Sequence, residues 1–162
     1  MLRTKRLKHP AAYKAGDVSK RNVFLSVISG ILLGLSFPNA GLGILAWVAF
    51  VPFFFVLENC SAWNAFRMGF IAGLAFWAST VYWLVNVTLI GTALLIVYLA
   101  VYFGLFGLGT FYLGLLASSQ KKNKSAQAVK FFAVALLWMA LEYSRSYLLT
   151  GFPWALVLVF HE

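Results

Sequence analysis

A run of 53 residues without one charged side chain, from Met68 to Gln120, constrains this chain more than any other feature. A helix needs about 20 residues to cross the hydrocarbon core of a bilayer, with a range of roughly 17–25. The run therefore holds two crossings. A second charge-free stretch, Val23 to Leu57, covers 35 residues and is broken near its middle by Phe37-Pro38-Asn39-Ala40-Gly41. Proline and asparagine favour a turn there, leaving two short spans. A third stretch begins at Phe131 and is interrupted by Glu142 and Arg145.

Of the 162 residues, 62% are apolar and 10% charged. A soluble domain carries about 25% charged residues, so no polar surface built from these few could keep the chain in water. A soluble enzyme is excluded. Apolar character runs continuously instead of alternating, which excludes an outer-membrane barrel. The expected fold is all-α: an integral membrane bundle of about five transmembrane helices with a partial sixth at residues 152–160. A basic segment, 1–21, precedes a transmembrane domain, 22–162, with spans at about 22–37, 41–58, 67–87, 92–117 and 129–149. The long basic lead is not followed by a small-residue cleavage site and polar sequence, so the first helix reads as a retained signal anchor.

The net charge of +9 is distributed in blocks. Seven of the thirteen basic residues precede Val23, and four lie between Lys121 and Lys130. Both blocks abut apolar runs, where lysine and arginine set orientation and meet anionic headgroups. A membrane surface, not nucleic acid, is the partner this pattern implies. With the amino terminus inside, segments 1–21, 59–67 and 118–130 place twelve basic residues inside, and Arg145 alone near an outer helix end.

Few residues offer chemistry. Cys60 is the lone cysteine, so an internal disulfide is excluded; no lysine stands near it and Glu58 shares its short turn. It reads as a loop cysteine without a role. No metal-ligand spacing occurs, and neither a metal nor a cofactor is expected. Glu142 and Arg145 are three residues apart on the fifth span, so they share a face and can pair. Ionisable groups within a span face protein or water, not lipid. The pair either anchors the outer helix end or forms the polar wall of a site opening outward. Tyr82 and Trp83 end the third span where aromatic rings favour the interface. In Thr150-Gly151-Phe152-Pro153-Trp154, glycine and proline stop the fifth helix and present Trp154 at the outer interface. Gly30 with Gly34, and Gly69 with Gly73 extended back to Ala65, form two GxxxG patterns that serve bundle packing or dimerisation.

Several of these pieces together resemble one family. Leu35-Ser36-Phe37-Pro38, Leu45-Ala46-Trp47-Val48-Ala49-Phe50-Val51-Pro52, Gly69-Phe70 to Gly73, Tyr82-Trp83-Leu84, Leu141-Glu142-Tyr143-Ser144-Arg145 and Thr150-Gly151-Phe152-Pro153-Trp154 occur in the order found in apolipoprotein N-acyltransferases. The resemblance implies a bacterial inner-membrane enzyme, with the amino terminus cytoplasmic and the carboxyl end periplasmic. Such an enzyme moves an acyl chain from membrane phospholipid to the amino-terminal diacylglyceryl-cysteine of lipoproteins. It also implies a periplasmic nitrilase-like domain holding a Glu–Lys–Cys centre, through which the lipoprotein substrate is engaged. That domain is expected to be absent here, so no catalytic residue falls in this chain. The family's functionally important tryptophan matches Trp154, while Leu158-Val159-Phe160-His161 departs from the Gly-Tyr-x-Gln that usually follows. Trp154, Glu142, Arg145, Tyr82 and Trp83 are the candidate lipid- or substrate-facing residues.

Two other classes stay open: a non-catalytic membrane partner of a separate catalytic domain, and a small transporter. The latter normally shows a mid-membrane ionisable site or an inverted repeat, and neither is visible. The charge blocks generate a direct expectation. A reporter active only outside the cytoplasm should be active when fused after Glu162 and silent when fused near Asn123; the opposite pattern would overturn the orientation.

Overall fold

The computed structural model describes residues 19–36, 45–58, 60–114 and 124–147, and every regular element among them is helical. The order is α1 (Lys20–Leu35), α2 (Leu45–Leu57), α3 (Ala62–Thr80), a short 3-10 helix (Tyr82–Asn86), α4 (Leu89–Tyr112) and α5 (Lys124–Tyr147). The turn at Phe37–Gly41, the basic lead before Ser19, the loop carrying Trp154 and the partial sixth segment lie outside the described residues. At about 1.5 Å per residue, the 24 residues of α4 and of α5 each extend about 36 Å. These two helices are long and apolar enough to cross a membrane. The 16 residues of α1 and 13 of α2 reach only about 24 and 20 Å.

The outer surface carries what a soluble protein buries. Phe24 on α1, Phe55 on α2, Leu94 on α4 and Phe132 on α5 all stand exposed. Contiguous apolar surface of this kind marks contact with lipid or protein. The central helix is α3. Its exposed bulky apolar residue is Trp63 at its start, while Met68, Ala72, Phe76 and Trp77 are buried.

Glycine determines how closely α3 meets its neighbours. A Cβ on Gly30 of α1 would run into the Ala72 carbonyl oxygen, and one on Gly34 into the Ser79 hydroxyl. On α3 itself, a Cβ on Gly69 would strike the Phe103 carbonyl oxygen, and one on Gly73 would lie 2.7 Å from Phe103 Cβ. Gly107 of α4 rests on the Ala65 carbonyl, 2.5 Å from where its Cβ would stand. Both GxxxG patterns are thus spent on packing within the chain. The paired positions rise together along α1 and α3, which run parallel. They run in opposite order along α3 and α4, which are antiparallel, as are α4 and α5. Lys20, Arg67 and Lys130 consequently lie toward one end of the bundle, and Tyr82, Trp83 and Arg145 toward the other.

Hydroxyls inside the helices bond their own backbone. Thr92 Oγ1 donates to the Thr88 carbonyl at 2.6 Å and Thr110 Oγ1 to the Phe106 carbonyl at 2.8 Å. Ser29 Oγ instead crosses to α2 and donates to the Ala49 carbonyl at 2.6 Å. Near the end of α3, Ser79 Oγ and Thr80 Oγ1 both donate to the Phe76 carbonyl, at 2.7 and 2.8 Å. Such back-bonding competes with the helix ladder, and α3 stops at Thr80. The apolar run had placed the end of this span near 87; the chain instead tightens into the 3-10 helix. At the end of α4, Gly114 adopts φ 59°, a left-handed position that suits glycine. Its carbonyl accepts from Lys130 Nζ at 2.8 Å, tying α5 to the terminus of α4.

Gly69→Ala would push a methyl group into the rigid backbone of α4, and we expect it to lower stability by about 1–3 kcal/mol. Gly109→Ala meets only the mobile end of the Leu137 side chain. Its helix-propensity gain of up to about 1 kcal/mol should leave it neutral or better. Thermal unfolding of the two variants in detergent checks the contrast; equal losses would contradict it.

Candidate functional site

Where α3, α4 and α5 meet, a shallow, open-sided groove lies near the end of the bundle that carries Tyr82 and Trp83. α3 supplies Phe76 and Trp77, α4 supplies Leu99, Tyr102 and Phe103, and α5 supplies Trp138, Leu141, Glu142 and Arg145. Helical spacing explains the set. Tyr98 and Tyr102 are four apart on α4, and their hydroxyls meet at 2.8 Å with the rings edge to face at 5.4 Å. On α5, Trp138, Leu141, Glu142 and Arg145 follow the three-and-four rhythm of a single face.

Trp138 forms the floor. Its ring meets Phe103 at 5.1 Å, Phe106 at 4.9 Å and Phe50 at 5.4 Å, each edge to face. Edge-to-face pairs contribute about 0.5–1.5 kcal/mol beyond burial, so this cluster holds α5 against α2 and α4. Trp138 and Phe50 also pack against both buried clusters of the bundle.

Above that floor sit the two ionisable groups. Arg145 is 3% exposed and Glu142 8%. Opposite in sign and one turn apart, they leave the groove with no net charge. The Arg145 guanidinium carbon lies 4.9 Å from the centroid of the Trp77 ring. A cation over an indole face gains about 0.5–2 kcal/mol, more where water is excluded. Trp77 is 2% exposed, and its Nε1 has no hydrogen-bond partner.

Of the residues singled out from sequence, Glu142 and Arg145 come together in the groove and are more deeply buried than an interfacial anchor would be. Tyr82 and Trp83 are 69% and 45% exposed on the 3-10 helix and do not line it. Trp154 lies outside the described residues. Sequence reasoning missed Trp77, Tyr102 and Trp138. The i, i+4 tyrosine pair was a visible signal for one; nothing in an apolar run shows which tryptophan turns inward.

Cys60 is 6% exposed and its Sγ donates to the Val56 carbonyl at 3.1 Å. Burial pushes its thiol pKa up, away from the thiolate that nucleophilic chemistry needs. Fifteen residues of α3 separate Ala62 beside it from Trp77, about 22 Å along the axis, so it takes no part in the groove. Among the described residues no three His, Cys, Asp or Glu side chains converge as a metal site would require.

Residues 29–158 match the family described as the apolipoprotein N-acyltransferase N-terminal domain. A protein of Geobacter metallireducens named apolipoprotein N-acyltransferase is 37% identical over 139 residues, covering 85% of this chain and 27% of the relative. A Rickettsia prowazekii protein of the same name is 29% identical over 133 residues, 72% of this chain and 26% of the relative. One from Gloeobacter violaceus is 28% identical over 138 residues, 82% and 26%. The chain spans about a quarter of the length of these relatives.

The groove's charge balance has a measurable consequence. Glu142→Gln leaves the buried Arg145 charge uncompensated, and we expect a loss of about 3–5 kcal/mol. Adding Arg145→Met removes that charge and should restore most of the loss. Thermal unfolding of the single and double variants decides; a double variant as unstable as the sum of its parts would show that the charges act independently.

Proposed function

Because the chain belongs to the apolipoprotein N-acyltransferase family, we propose that it is the membrane domain of an enzyme that acylates bacterial lipoproteins. The acyl donor is membrane phospholipid, and the acceptor is the amino-terminal diacylglyceryl-cysteine of the lipoprotein. In this reading the five helices are five crossings of the cytoplasmic membrane, with residues 1–21 inside and the carboxyl end periplasmic. The single observation that carries the reading is the family match over residues 29–158. The antiparallel order of α3, α4 and α5, with Lys20, Arg67 and Lys130 toward one end, supports the orientation.

The chemistry divides accordingly. Acyl transfer through cysteine needs a thiolate, a nearby base and donors for the developing oxyanion. Burial disfavours the Cys60 thiolate, its Sγ is bonded to the Val56 carbonyl, and it sits at the end of the bundle away from the groove. The nucleophile therefore belongs to a periplasmic catalytic domain of the complete enzyme. The residues described here would wall the lipid side of the reaction. Glu142 and Arg145 brace the outer end of α5. Tyr82 and Trp83 mark the headgroup level.

Expression in bacteria depleted of their own N-acyltransferase tests this reading, with acylation read as the mass gain of a lipoprotein's amino-terminal peptide. The 162-residue chain alone should give none. The chain completed by a periplasmic catalytic domain should restore acylation, and Trp154→Ala in that form should lower it at unchanged protein level. An acyl-thioester formed by the chain alone and abolished by Cys60→Ser would overturn the assignment.

A further inference from the structure

The Trp77 indole is a buried donor without an acceptor in the protein. Its side chain is 2% exposed, it lines the groove, and its Nε1 bonds nothing around it. Buried indole N–H groups ordinarily find a partner, because an unpaired one keeps its full desolvation cost. The acceptor at hand is the carboxylate of Glu142, which lines the same groove from α5 and is 8% exposed. An ionised carboxylate offers about four acceptor positions, so the arginine one turn away leaves it capacity to spare. Indole and carboxylate do not bond directly, since the indole N–H has no protein partner. They line a common space instead.

Size sets what that space can hold. The volume open to a water-sized sphere is about 20 Å³, and one water needs about 10–15 Å³. An acyl chain, a headgroup or a peptide side chain finds no room in it. The surrounding polar groups select among small occupants. A lone cation would meet the Arg145 guanidinium and the indole N–H, neither of which has a lone pair to give. A chloride would meet the Glu142 carboxylate. Water accepts from the indole and donates to the carboxylate. The Tyr102 hydroxyl, which also lines the groove, meets Tyr98 at 2.8 Å and keeps a further hydrogen-bonding position. Three such partners are what a buried water typically has.

From this match of size and polarity we propose that the groove is a hydration site for one ordered water, which accepts from Trp77 Nε1–H and donates to the Glu142 carboxylate. The water joins α3 to α5 three residues before α3 stops at Thr80. It complements the Arg145 guanidinium, whose carbon lies 4.9 Å from the centroid of the same indole. Trp77 is thereby tied to α5 twice, through its face by the cation and through its N–H edge by the water. This joint does not depend on which side of a membrane that end of the bundle faces.

The test uses the intact chain in lipid nanodiscs, with indole nitrogens labelled and the Trp77 resonance assigned by its loss in Trp77→Phe. Water held at the site gives the indole proton a cross-peak whose sign differs between the laboratory and rotating frames. Proton exchange with solvent gives the same sign in both. The parent should show the first pattern. Glu142→Gln with Arg145→Met removes both charges and keeps a carbonyl acceptor, so the held-water cross-peak should persist. Glu142→Leu with Arg145→Met removes the acceptor as well, and the cross-peak should be lost. Absence of the held-water cross-peak in the parent overturns the proposal, and the parent spectrum decides even where a double variant does not fold. Cross-peaks to lipid methylenes in its place would give the groove to hydrocarbon. An indole proton shifted downfield by Glu142 without a water cross-peak would show direct contact; either result overturns the proposal. Persistence of the cross-peak in Glu142→Leu with Arg145→Met overturns it too, because water would then reach the indole without the carboxylate.

Discussion

The contact between backbones along α3 is the interaction on which everything else in this bundle depends. Lipid tails are as apolar as leucine, so burying a side chain between helices in a membrane gains little over leaving it in lipid. What remains is close van der Waals contact, which only small residues allow. Gly30 and Gly34 bring α1 onto one side of α3, while Gly69, Gly73 and Gly107 bring α4 onto another. The groove exists because α3 is held at this distance from α4: Phe76 and Trp77 on one and Phe103 on the other form adjoining walls only at such an approach.

Polar groups follow a second rule, set by the absence of water. Hydroxyls within the helices return to their own ladder, as those of Thr92 and Thr110 do, or tie two helices together, as Ser29 does with the Ala49 carbonyl; the buried Ser26 hydroxyl is an exception and bonds neither. Charge is admitted at the ends. Lys130 reaches the carbonyl that terminates α4, and Arg145 is set beside a carboxylate one turn away and over an indole face. An ion pair in such surroundings is weak evidence for stability. Its consequence here is local neutrality beside the aromatic floor of the groove.

Much of this arrangement was legible in the residues. The charge-free runs contain α2 and α4 whole and most of α1 and α3, the two GxxxG patterns mark close approaches, and the spacing of Glu142 and Arg145 placed them on one face. The end of α3 was not legible, because apolar character continues through Val81 and Leu84 while the event that ends the helix is two hydroxyls converging on the Phe76 carbonyl. Nor was the inward turn of Trp77. Among six tryptophans in an apolar chain, hydropathy does not separate the one facing protein from those facing lipid, and only packing against α4 and α5 does. Tyr82 and Trp83, adjacent and aromatic, stood out in the sequence and lie outside the groove. Trp138, which carries its floor, did not stand out.

The way α5 is attached has a mechanical meaning. Its buried residues are Val134, Glu142 and Arg145, and its ties to the bundle, Lys130, Trp138 and Arg145, are spaced eight and seven residues apart. They form one line along one face, while the opposite face, with Phe132, Leu136 and Tyr143, stands exposed. A rod fixed along a single line resists sliding and lifting but has a soft rocking mode about that line. The groove lies beside the upper part of this axis, so a few degrees of rocking change its mouth without breaking any of the three ties.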